Sequence, residues 1–316
     1  MSEPLVSVII PAYNRAHTVR ETVDSVLGQT YGKLEVIVVD DGSKDNTQEV
    51  LREYGARIKN IRQENAGQMV ARNRGLAEAT GEIVTFLDSD DIWLPTCVER
   101  HVRLLGRTGA DVPCSLANGW LEFSDGRRIT SFQNSELETE LEEGLWTNVP
   151  DILPTRFVMF CQFVAIRHEA MKMVKGFDED LKYMEDYALP LRLSLLGPWG
   201  FIREPQVVWR QGAADSVSVS QRALKQARPL RESLLIIRKR YLEQIAGQAR
   251  YANARRLQER ELWQDQVELR AIGLRERGAK LRGDLLFNAV RLRKAMLRRL
   301  PTYPRMKAER LGARVS

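Results

Sequence analysis

The stretch LVSVIIPAYNRAHTVRETVDSVLGQTYGKLEVIVVDDGS, residues 5–43, decides the fold. Its first six residues are an apolar run that reads as a strand, "PAYNRAH" breaks it as a loop, and a helix follows from about Thr18 to Gln29. A second apolar run, "LEVIVVD" (34–40), ends in the turn "DGSKDN". The same alternation continues outward: a helix to about Tyr54, a short strand near Arg57–Arg62, a helix "QMVARNRGLAEA" with apolar residues at three- and four-residue spacing, then the strand "EIVTFLD". The fold class is therefore α/β, a mostly parallel sheet flanked by helices. In such sheets ligands bind beyond the carboxyl ends of the strands. Three of those ends carry polar clusters, Tyr13-Asn14-Arg15, Asp40-Asp41-Gly42-Ser43 and Asp88-Ser89-Asp90-Asp91, which should converge on one cleft.

The last cluster carries an electrostatic cost. Three carboxylates within four residues raise one another's pKa and repel unless something positive stands among them. Two readings are open. In one, the acids cap and precede a helix, a role that suits Asp91 before "IWLP". In the other, Asp88 and Asp90 hold Mg2+ or Mn2+, which takes one or two carboxylates and the oxygens of a diphosphate.

Beyond residue 110 the periodicity weakens. Runs such as "CSLANGWLEF" and "FVMFCQFVAI" fit an insertion that shapes one side of the cleft, "YMEDYALPLRLSLLG" (183–197) reads as a loop entering a helix, and "FIREPQVVW" reads as an edge strand. From about Ala223 to Leu300 the pattern is helical. The expected organisation is a body at 1–220, with a nucleotide-binding half to about 110 and an acceptor-side half from 111, then a basic helical extension at 221–316.

Composition bounds the rest. With 43% hydrophobic and 28% charged residues in 316, the chain is that of a folded protein. It contains no apolar run long enough to span a membrane, and "MSEPLVSVIIPAYN" lacks the marks of a signal peptide, so a cytoplasmic location is expected. Cys97, Cys114 and Cys161 have no metal or disulfide spacing and read as reduced, buried thiols. His17, His101 and His168 are too scattered for a metal set. The net charge of +6 conceals a division: residues 1–220 hold 23 basic against 33 acidic side chains, and residues 221–316 hold 25 against 9. A basic tail of this kind points to a polyanionic partner.

Four motifs follow one another in a telling order: "VSVIIPAYNRAHTVRETVDSVLGQTY", "LEVIVVDDGSKDNT", "ENAGQMVARNRGLAEATGEIVTFLDSDD" and "GFDEDLKYMEDYALPLRL". Over about residues 5–215 the chain resembles the family 2 inverting glycosyltransferases of GT-A fold. The resemblance implies a nucleotide-sugar donor, probed by Pro11 and Tyr13 at the base, with Asp41 accepting from the base and Arg72 near base or phosphate. Asp88 and Ser89 would meet the donor, and Asp90, with Asp88, the metal. It assigns the general base to Asp186 and places Glu185 and Trp93 on the acceptor side. Residue types agree with these roles, since an aromatic face suits a planar base and a carboxylate suits an N–H donor. Other readings stay open: Tyr13 as cover for the core edge, Asp41 as a turn residue, Arg72 as an exposed helix charge, Glu185 and Asp186 as a helix start. The chain also departs from the family. Where relatives carry a His after the strand "VVWRQ", this chain has Gly212 and its neighbours, with Arg210 as a substitute diphosphate contact; Lys175 and Pro190 are likewise unusual at their positions.

Rival functions are weaker. "PAYNRAH" contains no glycine, as a nucleotidyltransferase's triphosphate loop would require, and no G-x-G-x-x-G opens the first helix. A nucleotide-sugar-binding scaffold without transfer activity is the alternative that leaves the acidic motifs in place. For the tail, helical winding of "DLLFNAVRLRKAMLRRL" (284–300) gathers Leu285, Leu286, Ala289, Val290, Leu292, Met296, Leu297 and Leu300 on one arc and Arg291, Lys294, Arg298 and Arg299 opposite. That pattern fits an anionic membrane surface on its cytoplasmic side, bearing a lipid-linked acceptor, and equally a contact with the body or a homodimer. Nucleic acid is not expected, because the basic residues interleave with aliphatic rather than stacking aromatic side chains.

Overall fold

Valines and isoleucines fill β1 (Val6–Ala12) without alternation, and all seven of its residues are buried. A strand can be apolar on both faces only when both are covered and both edges paired. β1 meets that condition. It pairs in parallel with β2 (Leu34–Asp40), Val6 opposite Leu34, and with β4 (Ile83–Phe86), Val6 opposite Ile83. Helix α1 (Val19–Leu27) crosses from β1 to β2, α2 (Thr47–Arg52) crosses to β3 (Lys59–Arg62) beside β2, and α3 (Gln68–Glu78) returns over β1 and β2 to β4. Right-handed crossovers in opposite directions put α3 on the other face from α1 and α2, and the order 3-2-1-4 makes the ends of β1 and β4 a switch point.

The computed structural model describes residues 3–137, 139–158, 160–181, 183–211, 227–276, 284–286, 288–291 and 305–311. After β5 (Ile92–Trp93) and α4 (Cys97–Gly106) come β6 (Cys114–Phe123), β7 (Arg128–Thr130), α5 (Ser131–Asn134), β8 (Glu143–Trp146), α6 (Val149–Ile152), β9 (Val164–Arg167), α7 (His168–Met173), α8 (Glu185–Ser194) and β10 (Trp199–Gln211). With β11 (Ala308–Glu309) at one edge, the described strands form one sheet in the order β11-β8-β10-β6-β9-β4-β1-β2-β3, with β5 on β10 and β7 on β6. The region from 111 onward is thus no insertion. β6 and β9 occupy the middle of the sheet, and antiparallel pairings at β9, β7 and β8 erase the parallel-strand pattern that made the first third legible.

β10 also corrects the reading of "FIREPQVVW" as an edge strand: it lies between β6 and β8. Pro205 is tolerated there because the β6 register shifts on either side of it, and a bulge is where a residue without an N–H fits inside a sheet. Among the described residues of "FVMFCQFVAI", strand begins at Val164. Pro190 falls in the second turn of α8.

The C-terminal segment is bound to this body. Helices α9 (Ala227–Gln244) and α10 (Ala252–Glu276) pack against each other, α9 on α8 and α10 on α6. The tail is not helical throughout, as β11 (Ala308–Glu309) joins the sheet edge at β8. Asn148 secures it from both sides, donating to the Arg305 carbonyl at 2.8 Å and accepting the Lys307 N–H at 2.7 Å. Most of the predicted amphipathic segment 284–300 lies outside the described residues. Its described part is helical, with Leu285 exposed and Val290 buried. Among the described residues, no helix is long and apolar enough to cross a membrane. The three cysteines are buried thiols outside any disulfide.

Close approach of α3 to the sheet depends on Gly75, where an added Cβ would sit 2.5 Å from Ile9 Cγ2. Gly75→Val should therefore lower stability by about 1–3 kcal/mol through overpacking, read as a fall in the denaturant midpoint at unchanged slope.

Candidate active site

The loops after β1 and β2 are stitched together by side chains. Asn14 N–H donates to Ser43 Oγ at 2.9 Å, Lys44 N–H to Asn14 Oδ1 at 2.8 Å, Arg15 N–H to Thr47 Oγ1 at 2.7 Å and Ala16 N–H to Asp45 Oδ2 at 3.1 Å. Asn14 sits at φ 53°, a left-handed conformation that asparagine tolerates better than most residues. Pro11 is buried in β1 and Tyr13 beyond it is 39% exposed.

Asp41 is only 3% exposed. Its carboxylate accepts from Gln63 Nε2 at 2.8 Å, from Ala66 N–H at 2.9 Å and from Gly67 N–H at 2.8 Å. It therefore shapes the loop that starts α3, a role the sequence reading missed. Gly42, at φ 74°, lets that loop pass overhead: a Cβ there would stand 2.8 Å from Asn65 N.

α3 then delivers its polar face to the end of β4. Arg72, predicted either near the donor or as an exposed helix charge, is buried, and its Nη2 lies 2.5 Å from Asp88 Oδ1. Gln68 Nε2 donates to the same oxygen at 3.0 Å. Arg15 comes from the first loop to within 3.4 Å of Asp90 Oδ2. These two cations counter the acidic cluster whose repulsion the sequence exposed. The compensation is incomplete, because burial and then the charge of Asp88 still raise the Asp90 pKa above the usual carboxylate range.

Asp91 is not a helix cap. It precedes β5, it is buried, and its Oδ1 accepts the Arg210 N–H at 3.1 Å, joining the end of β10 to the acidic loop. Burial, followed by the charges of Asp88 and Asp90, pushes its pKa well up. Arg210 is thereby brought to the acidic end, where its Nη1 also reaches Glu21 Oε2 at 2.5 Å. Ser89 is buried within the cluster. Trp93 lies elsewhere: its ring is 3% exposed in the core and its indole N–H donates to the Gln162 carbonyl at 3.0 Å. An aromatic one residue into a strand faces inward here, so the structure does not support Trp93 as an acceptor contact.

The second motif region is tied to the same place. Asn73 of α3 donates to the Phe177 carbonyl at 3.0 Å and accepts the Phe177 N–H at 2.9 Å, and the Phe177 ring packs 5.0 Å from Phe86 and 5.5 Å from the Arg72 guanidinium carbon. Lys175, two residues earlier, has φ 61°, a left-handed conformation that glycine adopts more readily than lysine. The chain then runs through "GFDEDLKYM" to Met184, at φ 63°, and into α8, whose first turn carries the half-buried Asp186. Glu185 stands in that turn; its side chain lies outside the described residues, as does Gly212.

Among the described residues no three His, Cys, Asp or Glu side chains gather to hold a metal. Asp88 and Asp90 nonetheless fit one of the hard divalent cations. They are oxygen donors, about a fifth to a quarter exposed, at the end of a strand where three carboxylates stand within four residues. Such an ion would draw its remaining ligands from diphosphate and water. His101 and His168 have structural partners instead, Ser115 Oγ at 2.7 Å and the Gly81 carbonyl at 2.8 Å.

Residues 7–166, just over half of the chain, match the family described as Glycosyl transferase family 2. The chain belongs to that family. Relatives of this family 2 chain include an uncharacterized glycosyltransferase of Rickettsia typhi, 31% identical over 59% of this chain and 57% of the relative. The chain thus spans little more than half that relative's length. A second is the Escherichia coli UDP-Glc:alpha-D-GlcNAc-diphosphoundecaprenol beta-1,3-glucosyltransferase WfgD, 44% identical over 33% of this chain and 42% of the relative. The fold is that of S. aureus TarS 1–349 in complex with UDP-GlcNAc (TM-score 0.65, 18% identity, 90% of this chain and 79% of that one). It is also that of the Pyrobaculum calidifontis mannosyltransferase PcManGT in complex with GDP-Man and Mn2+ (TM-score 0.55, 22% identity, 94% and 87%).

Because the Asp41 carboxylate organises the backbone of the loop that starts α3, Asp41→Ala should destabilise the ligand-free family 2 fold. The expected loss is about 1–3 kcal/mol, for the two loop amides left without their acceptor. Thermal unfolding in the absence of nucleotide checks it.

Proposed function

We propose that this chain is an inverting glycosyltransferase that moves a sugar from a UDP-linked nucleotide-sugar to a hydroxyl of a saccharide or lipid-linked acceptor in cell-surface polysaccharide synthesis. The observation that carries this reading is the acidic end of β4, where Asp88 and Asp90 stand at the switch point of a parallel sheet beside an exposed tyrosine. The family membership, and the UDP-sugars named for WfgD and TarS, support it. Mg2+ or Mn2+ at Asp88 and Asp90 would neutralise the diphosphate and stabilise it as a leaving group.

The chain's own residues do the rest. Tyr13 offers an aromatic face to the base, with Pro11 behind it and the Asp41 loop at its edge. Arg72 holds Asp88 in place, and Arg210 extends from β10 toward the diphosphate. Asp186 removes the proton from the acceptor hydroxyl as that oxygen attacks the anomeric carbon. The bond to the diphosphate oxygen breaks on the opposite face, so configuration inverts in one displacement and no covalent intermediate forms. Glu185, beside the base, serves the acceptor side.

Two substitutions test the division of labour. Asp90→Ala should abolish Mn2+-dependent binding of UDP-glucose and UDP-GlcNAc in calorimetry. Asp186→Asn should leave that binding intact and lower turnover by about 10²- to 10⁴-fold, the range for a lost general base. Unchanged affinity in the first or unchanged turnover in the second contradicts the corresponding role.

The basic tail supports a place on the inner face of the membrane, where a lipid-linked acceptor would reside. Each basic residue near anionic lipid adds about 1 kcal/mol of attraction. In liposome flotation at low salt, the full chain should bind phosphatidylglycerol vesicles and lose that binding as salt rises. Failure to float would leave the segment 284–300 as a protein contact, with a homodimer as the first candidate.

A further inference from the structure

The turn that bears Asp186 is weakly supported by its own helix. Met184 enters α8 in the left-handed region at φ 63°, which a non-glycine residue adopts only when its surroundings hold it there. Four residues after Asp186, Pro190 lacks the N–H that an α-helix would direct to the Asp186 carbonyl. Support comes from α9 instead. The Arg238 side chain is buried, and its Nη1 donates to the Tyr187 hydroxyl at 3.1 Å, to the Pro154 carbonyl at 3.1 Å and to Gln258 Oε1 at 2.9 Å, while Nε donates to Asp265 Oδ2 at 2.6 Å. Tyr187 follows Asp186 directly. Its hydroxyl in turn donates to the Leu153 carbonyl at 2.9 Å, and its ring lies 5.5 Å from the Arg238 guanidinium carbon.

Two residues along α9, and so on a different face of that helix, Arg240 takes the other flank. Its Nη1 donates to Asp180 Oδ1 at 3.1 Å and lies 3.6 Å from Asp178 Oδ1, whose other oxygen meets Arg192 at 2.8 Å. The segment 178–187 is therefore gripped at both ends by one helix from the C-terminal region. Apolar side chains could dock that helix on the body at a smaller desolvation cost. Guanidinium groups add direction: they fix the Tyr187 hydroxyl and the Asp178 and Asp180 carboxylates at set points before and after Asp186 in the chain.

We propose that Arg238 and Arg240 clamp the segment that carries Asp186, so that the C-terminal hairpin is a positioning element of the transfer site and Arg238 a positioning residue. The proposal rests on Asp186 as the general base. It also gives part of the basic tail a task separate from any membrane.

Tyr187→Phe cuts the Arg238 link to α8 and keeps the ring, and Arg240→Gln releases the other flank at a half-exposed site where folding should survive. In the full-length double variant, amide hydrogen exchange over residues 183–189 should quicken by at least about tenfold relative to β1 and β4. Turnover in hydrolysis of UDP-glucose and UDP-GlcNAc with Mn2+ should fall by a similar factor at unchanged donor KM, since small displacements of a reacting group cost rate rather than affinity. A double variant with wild-type exchange at 183–189, or with wild-type turnover, overturns the clamp. Asp186→Asn measured alongside separates the two claims: if it turns over like wild type, the base assignment fails, and the exchange measurement then decides the clamp alone.

Discussion

The ion pair between Arg72 and Asp88 lets a buried strand end on three carboxylates. Arg72 is almost wholly enclosed, and without a nearby anion its desolvation would be costly. The carboxylate has the converse need, with Asp90 and Asp91 close behind it. Much of the site follows from meeting both. α3 must lie flat on β1 and β2 for Arg72 to reach β4, which requires Gly75 over Ile9. Its first residues must be set by the Asp41 loop, and the face of the Phe177 ring must lie against the guanidinium, which draws the segment leading to Asp186 toward the same end of the sheet. The cation proposed at Asp88 and Asp90 would take up the negative charge that Arg72 and Arg15 leave uncompensated.

How much of this was legible beforehand depended on which residues signal their own surroundings. Parallel strands buried on both faces read as unbroken apolar runs, so β1, β2 and β4 stood out, and polar residues ending such runs marked the site. The sheet beyond β4 was opaque, because antiparallel strands of unequal burial and a bulged strand carry mixed patterns. Pro205 made β10 look like an edge, since sequence cannot reveal the register shift that accommodates it. Trp93 and Asp91 show a similar limit: both sit next to motif residues, and only the fold separates a side chain in the cleft from one facing the core or tying two strands together. Arg15 and Gln68 were missed as partners of the acids although Arg15 lay in a cluster recognised as polar.

The basic tail illustrates how charge asymmetry can mislead when counted without contacts. Arg228 meets Glu276, Arg231 meets Asp265 and Glu268, and Arg238 meets Asp265, all within the hairpin, while Arg240 reaches back to the body. Several of the arginines that suggest a polyanion are thus engaged in building the fold. Docking on the body and the proposed reach toward a membrane can therefore belong to different parts of one segment.

The central claim is that the acidic end of β4 recruits a divalent cation together with a diphosphate. Thermodynamic linkage tests it on the unmodified chain, since two ligands that meet must raise each other's affinity by the same factor. Calorimetric titration with UDP in Mn2+ and after chelation, paired with titration of Mn2+ with and without UDP, measures both sides. The account predicts equal enhancements of tenfold or more, about 1.4 kcal/mol. UDP binding of the same strength with and without the metal would contradict it.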